Sequence, residues 1–370
     1  MEEKILSLAK KLIGFKTITG NAKETAACCD FIKSYFASEI KEGKIIAKEY
    51  NKGGFRSLVL SNAETLKYDI ILNGHIDVVA ADDKDFIPFI KENKLFGRGA
   101  ADMKSQVAAM MVVFKEAANS GNFDKKIALM LTSDEEIGGK AGVNYLLNNM
   151  GYGAKIAIIP DGGENFELNV KEKGVLWIKI IAQGKVTHGS RPWLGDNAIL
   201  KLMKFYREIE KKFLPLGKSK ALYKDGVSVN LGKINGGKSI NAVPENAEMY
   251  LDFRYSEKAG KYKILKAIEG AAKKTKIKFE AIEDAGASEN DPQNYYLKVF
   301  KKITEKEIGR KMRIIRSTGS SGTHFFSAKN IPAIITSPNY GNIHANNEWI
   351  EIGDLEKFYK IVKQFLIDIK

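Results

Sequence analysis

An α/β fold, with a mixed, mostly parallel sheet flanked by helices and a second domain inserted into the chain, is predicted by three features. In the first half, amphipathic helical stretches alternate with short apolar runs that stop abruptly at polar or glycine residues. From Gly174 to Glu283 the pattern changes to βαββαβ, and the last quarter returns to the first pattern. With 370 residues, 44% of them hydrophobic, the chain exceeds what one core usually covers, so two domains are expected.

Taken in order, MEEKILSLAKKLIGFKTITG places apolar residues at helical spacing with charges between them. It lacks an apolar h-region and a small-residue cleavage site, so it predicts an amphipathic helix and not a signal peptide. No later stretch approaches the roughly 20 consecutive apolar residues of a membrane span, and no membrane partner is expected. The helical run ETAACCDFIKSYF holds both cysteines, Cys28 and Cys29. Adjacent residues are poorly placed to pair with each other, and no histidine or third cysteine lies nearby. They read as small buried apolar side chains of a cytoplasmic protein.

The runs YDIILN (68–73), KIALMLT (126–132), AKIAIIP (154–160) and IPAIITS (331–337) each read as a strand buried on both faces. Between the first two, DMKSQVAAMMVVFKEAAN predicts a helix, with Asp102 at its start capping it and facing the positive end of its dipole. The middle segment reads as strand VLWIKIIAQ, helix NAILKLMKFYREIEKK, strands VSVNLGKI and AEMYLDFRY, helix KYKILKAIEGAAKK and strand KIKFEAI. Helix YYLKVFKKITEKEIG and a closing helix from about Ile352 complete the chain. Residues 1–173 and 284–370 are therefore expected to form one domain and 174–283 the other.

The net charge of +14 comes from lysines spread along the whole chain and rarely interleaved with aromatics, which does not predict a nucleic-acid partner. It does suit a positive field that draws in anionic small molecules.

The four histidines stand in surroundings that resemble a site more than a core. His75 closes a buried strand in NGHIDVV, with Asp77 two residues on and on the same face if the strand continues. The next strand ends in TSDEEIGG, placing Glu135 and Glu136 at the same sheet edge, and the third ends in IIPDGG, adding Asp161. Asp102 joins from its helix start after GRGAAD, and PNYGNIHANNEW delivers His344 beyond the fourth strand. Strand ends are where open α/β sheets place ligands. So many carboxylates at one edge repel unless cations lie among them, and two histidines with shared carboxylates suit zinc, cobalt or manganese. Consecutive glutamates cannot face one ion alike, so of Glu135 and Glu136 one binds metal and the other handles protons.

These residues make the chain resemble the co-catalytic zinc peptidase and deacylase family, which includes glutamate carboxypeptidase, peptidase T, succinyl-diaminopimelate desuccinylase, acetylornithine deacetylase and aminoacylase. The resemblance runs from the first helix to the last, carried by GHIDVV, LFGRGAADMKS, TSDEEIGG, VTHGSRPWLGDNAI, INAVPENAEMYLDFRY and NIHANNEW. It implies a zinc exopeptidase-like catalytic domain with an inserted, ferredoxin-like lid that is also a dimerisation domain in many members, hence a homodimer through the lid. It also implies that His75 and Asp161 hold one metal, Glu136 and His344 the other, and Asp102 both. Glu135 would be the general base, Asp77 would orient His75, and the Asp102–Met103 bond would be cis. His188 matches the lid histidine that in dimeric members stabilises the oxyanion in the partner's active site, against a plain reading as a surface loop residue. Asn241 and Arg254 fall where members bind the substrate carboxylate, although Arg254 reads equally well as an exposed strand residue.

Two departures bear on substrate. Asp161 stands in PDGG where deacylases carry glutamate and several di- and tripeptidases carry aspartate, which favours a peptidase. RSTGSSGTHFF replaces the aspartate-arginine pair of the deacylases. It lacks the lysine and preceding strand of a phosphate loop and reads as a substrate-binding turn at Gly319 and Ser320, with His324 either structural or functional. The expected activity is cleavage of an amide bond in small peptides or N-acyl amino acids by a metal-activated water, leaning to a di- or tripeptidase or carboxypeptidase. An N-acyl amino acid deacylase of the desuccinylase or deacetylase type is the alternative. A non-catalytic basic binding protein is the remote one, opposed by the intact ligand set and Glu135.

Overall fold

A computed structural model describes residues 1–370 apart from 122, 214–225, 257 and 370. The chain forms two compact units: Met1–Val170 with Glu289–Ser317 and Ser321–Lys370, and Lys171–Ser288 with Thr318–Ser320.

In the first unit the four apolar runs form strands Lys67–His75, Ile127–Thr132, Gly153–Ile159 and Ala333–Ile335. Lys67–His75 is flanked in parallel by Ile127–Thr132 and Gly153–Ile159, and Ala333–Ile335 continues the parallel run beyond the latter. A hairpin not expected from the sequence, Ile46–Lys52 with Phe55–Ser61, extends the sheet antiparallel on the Ile127–Thr132 side. The register sets His75 beside Thr132 and Ile159 beside Ile335, so the four strands end along one carboxyl edge.

Helix Glu2–Gly14 buries Ile5, Leu8, Ala9, Leu12 and Ile13, the spacing of a single apolar face. Helix Tyr295–Ile308 starts at Asn294, whose side chain accepts from the Tyr296 amide at 2.9 Å, and ends at Gly309 with φ +70°. Helix Ile352–Asp368 and helix Lys104–Asn119 pack into the same core, the latter buried on nearly all sides. Gly74 permits this last contact, because a Cβ there would lie 2.8 Å from Val107 and 3.2 Å from Met103. One correction concerns the start of helix Lys104–Asn119: the N-cap is Met103, no side chain caps the helix, and the Asp102 carboxylate is turned toward histidines instead.

The second unit has the expected βαββαβ order, with an antiparallel sheet in spatial order Ser228–Gly236, Asn246–Tyr255, Gly174–Gln183, Lys278–Ala285. Helices Ala198–Phe213 and Lys258–Thr275 cover it. Strand Asn246–Tyr255 alternates strictly between buried and more accessible positions, as a sheet with one packed face requires.

Candidate metal centre

The site is built from loops that leave the carboxyl edge of the parallel sheet. After Thr132, the carboxylate of Asp134 folds the chain back by accepting from the amides of Ala141 at 2.7 Å and Gly142 at 3.0 Å. This closed loop presents Glu135 and Glu136 in a single turn of 3₁₀ helix. After Ile159, Gly163 lets the PDGG turn press against the neighbouring strand end, since a Cβ there would lie 2.3 Å from the Glu167 carbonyl and 2.8 Å from that of Ile335. Asp161 is held at the edge by that turn. His344 sits in a loop where Asn342, His344 and Asn347 all have φ between 57° and 60°, with the Asn342 side chain donating to the Asn347 carbonyl.

These loops converge on Asp102. Its Oδ1 is 2.9 Å from His75 Nε2 and its Oδ2 is 3.1 Å from His344 Nε2, so one carboxylate spans the two imidazoles. His344 Nε2 is also 3.2 Å from Glu136 Oε2. Ligand atoms of His75, Asp102 and Glu136 lie within 4.8 Å of one another, and so do those of His75, Glu135 and Asp161. All six side chains are thus brought together, with Glu135 standing among the ligand atoms. The Asp102–Met103 peptide bond is cis.

The strand carrying His75 ends at that residue, so Asp77 does not reach it as a strand neighbour. The Asp77 main-chain oxygen accepts from His75 Nδ1 at 2.9 Å, and its carboxylate lies farther off at 3.5 Å. With Nδ1 donating, a neutral His75 presents the lone pair of Nε2 to the site. The fully buried Asp77 carboxylate accepts from the amides of Glu135 (3.3 Å) and Glu136 (3.2 Å) and from the Thr19 hydroxyl (3.0 Å). It therefore organises the glutamate turn, a task the sequence reading missed, while the nearer partner of His75 is the Asp77 main-chain oxygen.

The charge balance favours cations. Burial by itself would lower the pKa of the His75 imidazolium, but its contacts with Asp102 and Asp77 outweigh that and raise it well above its ordinary value. His344 is raised to about 10 by hydrogen bonds with Asp102 and Glu136. Burial opposes ionisation of Asp102, yet the two histidines hold its carboxyl well below the usual range. Glu135 is pushed well above its ordinary value by burial and by the charge of Asp161. Four carboxylates facing two imidazoles make a field that divalent cations would neutralise more fully than two imidazole protons, and carboxylate oxygens with imidazole nitrogens are the donors zinc, cobalt and manganese accept. The residues fit such ions.

The second unit holds the remaining candidates apart from His324. His188 is exposed, its Nδ1 is 2.8 Å from the Ser190 hydroxyl, and the Gly189 amide donates to the Asn241 carbonyl at 2.7 Å. Ser239 donates to the Asn241 side chain. Arg254 makes a forked pair with Asp252 at 2.9 and 3.1 Å, so a substrate carboxylate would have to compete with that partner. The Gly319 carbonyl accepts from the Lys173 amide at 3.0 Å, and Gly319 and Ser320 group with the second unit. His324, in the first unit, is buried with Nδ1 2.8 Å from the Ser321 carbonyl and its ring 3.8 Å from that of Phe325. Both cysteines are free and buried.

A mostly parallel sheet with this cluster at its edge is the arrangement of a metal-dependent hydrolase that acts on amide bonds. The model of peptidase family M20/M25/M40 matches residues 71–368, and the chain belongs to that family, in accord with the resemblance carried by its motifs. It is similar to the succinyl-diaminopimelate desuccinylase of Sulfurovum sp. (strain NBC37-1), at 26% identity over 374 residues covering 97% of each chain. Among solved structures it is similar to the metallo-carboxypeptidase Sso-CP2 of Sulfolobus solfataricus, with TM-score 0.82, 18% identity and 98% of each chain covered. It is also similar to the aminopeptidase PepT of Bacillus cereus, with TM-score 0.79, 21% identity, and 99% of this chain and 98% of that one covered. Among the described residues no helix is long and apolar enough to cross a membrane.

Proposed function

We propose that the chain is a two-metal hydrolase that cleaves an amide bond next to a free carboxylate in small peptides, as a di- or tripeptidase or carboxypeptidase. The observation that carries this reading is Asp102, whose two carboxylate oxygens each face a different histidine. In it, His75 and Asp161 hold one ion, His344 and Glu136 the other, and Asp102 both, with Zn²⁺ as the first candidate and Co²⁺ or Mn²⁺ as alternatives. Bound there, the ions supply Lewis-acid chemistry, polarising the scissile carbonyl and making water more acidic. Glu135 takes the proton of the attacking water and returns it to the leaving nitrogen, and its burial beside Asp161 suits a carboxyl that exchanges a proton. Asp77 keeps His75 and the Glu135–Glu136 turn in register.

The second unit's residues belong to the same reading. His188 is assigned to the oxyanion, Asn241 and Arg254 to the substrate carboxylate, Gly319 and Ser320 to a substrate-binding turn, and the unit itself to a homodimer. The free, buried cysteines suit a cytoplasmic location. A second reading, an N-acyl amino acid deacylase, is favoured by the desuccinylase name of the Sulfurovum relative.

The test is mass-spectrometric turnover of a panel of dipeptides, tripeptides and N-acetyl or N-succinyl amino acids by zinc-loaded protein, with Glu135→Ala as control. Cleavage of free peptides, absent in the control, supports the peptidase. Turnover of acylated amino acids alone moves the chain to the deacylases, and no turnover overturns the reading.

A further inference from the structure

Glu348 lies four residues beyond His344 and is 2% exposed. Its Oε1 accepts from the amides of Ala101 at 2.8 Å and Asp102 at 3.1 Å, and its Oε2 is 2.5 Å from Nη1 of Arg98, which is 3% exposed. A carboxylate taken out of water is costly unless donors surround it, and here both oxygens have strong ones. The Ala101 and Asp102 amides lie just ahead of helix Lys104–Asn119, so Glu348 fixes the main chain that leads into that helix.

The placement has a definite origin. Strand Trp349–Glu351 pairs with Lys94–Phe96, setting Trp349 opposite Phe96, and the Gly97 amide donates to the Glu348 carbonyl at 3.0 Å. That pairing locks the segment GRGAAD to the segment NIHANNE. One loop therefore grips Asp102 twice, through His344 at its carboxylate and through Glu348 at its main chain.

We propose that Glu348 is a positioning residue of the metal centre, whose buried carboxylate, held by Arg98, pins the main chain at Ala101 and Asp102 so that the Asp102 carboxylate spans both metal positions. This rests on the reading of Asp102 as the shared ligand. Glu348 touches neither a metal ligand atom nor substrate in this role. It acts by fixing the backbone from which the shared carboxylate projects, and sites of this kind lose function when their support shifts by about 1 Å.

The test is cobalt titration of the chelated protein, followed by calorimetry and by the visible spectrum of bound Co²⁺, neither of which depends on turnover. In Arg98→Met/Glu348→Met the buried charges leave together and the volume stays filled, so the fold is kept while the amide clamp is lost. Binding of the second cobalt should weaken roughly tenfold or more, with an altered spectrum, the size of effect that supporting residues have on metal affinity. Arg98→Met/Glu348→Gln, which keeps an oxygen for the two amides, should recover most of that loss. Glu348→Asp retains the charge pair but draws the oxygens back, and it decides the matter if the double methionine variant does not fold. Wild-type affinity and spectrum in a folded methionine or aspartate variant would overturn the proposal. A wild-type protein that fails to bind two cobalt ions would instead overturn the two-metal reading on which it rests.

Discussion

Replacing Asp77 by alanine removes an acceptor on which three donors converge: the amides of Glu135 and Glu136 and the hydroxyl of Thr19, at 3.0 to 3.3 Å. Each hydrogen bond to an ionised group is worth roughly 1.5–3 kcal/mol net, and the three are not additive because they share one carboxylate. The residue is fully buried, so water replaces the lost oxygens poorly. A loss of about 3–5 kcal/mol follows, the size found when one partner of a buried charged network is removed. Asp77→Asn should cost about half as much, since its single oxygen can serve one amide while its NH₂ group faces the other. The loss falls on the turn that carries Glu136, so zinc affinity should drop with stability, by roughly 10- to 100-fold. Urea unfolding of the chelated proteins followed by circular dichroism, together with zinc titration, measures both. An alanine variant with an unchanged midpoint and unchanged zinc affinity would refute the assignment of Asp77 as organiser of the site.

Glu135→Gln should reduce turnover by roughly 10²–10⁴-fold, the usual contribution of a general base, while elemental analysis still finds two ions bound. Chelation should abolish activity and lower the thermal midpoint, because it removes ligands that bind only the folded state and leaves four carboxylates facing one another; zinc, cobalt or manganese should restore both. Burial raises the Cys28 thiol from its ordinary 9.0 to about 11 and the Cys29 thiol to about 12. Above pH 9 the unfolded chain therefore loses thiol protons that the native state keeps, so stability falls as pH rises from 9 toward 11 to 12. The fall, followed by urea midpoints, should be shallower in Cys28→Ala/Cys29→Ala, and a disulfide reagent should modify the native thiols only after unfolding.

The parallel strands and most side chains of the candidate centre were legible because each carries a local signal, an apolar run, an abrupt stop, then a histidine or acid, while Asp102 was marked by a helix start. Sheet register does the rest, since four such runs aligned in parallel bring their ends together. The hold of Asp77 on the glutamate turn and the role of Glu348 were not legible. Each acts on backbone amides far away in sequence, 58 residues from Asp77 to Glu135 and 246 from Glu348 to Asp102, and main-chain donors leave no trace in side-chain chemistry. Asp102 was misread as a helix cap for a related reason. Local pattern placed it at a helix start, but contacts with His75 and His344 decided where its carboxylate points. The hairpin Ile46–Lys52 with Phe55–Ser61 escaped notice because its first strand is buried on neither face and shows no apolar run.

The most direct measurement is anomalous diffraction at the zinc edge from crystals of the zinc-loaded protein. Two peaks flanking the Asp102 carboxylate are predicted, one beside His75 and Asp161 and the other beside His344 and Glu136. A single peak, or two peaks that do not share Asp102, would contradict the account.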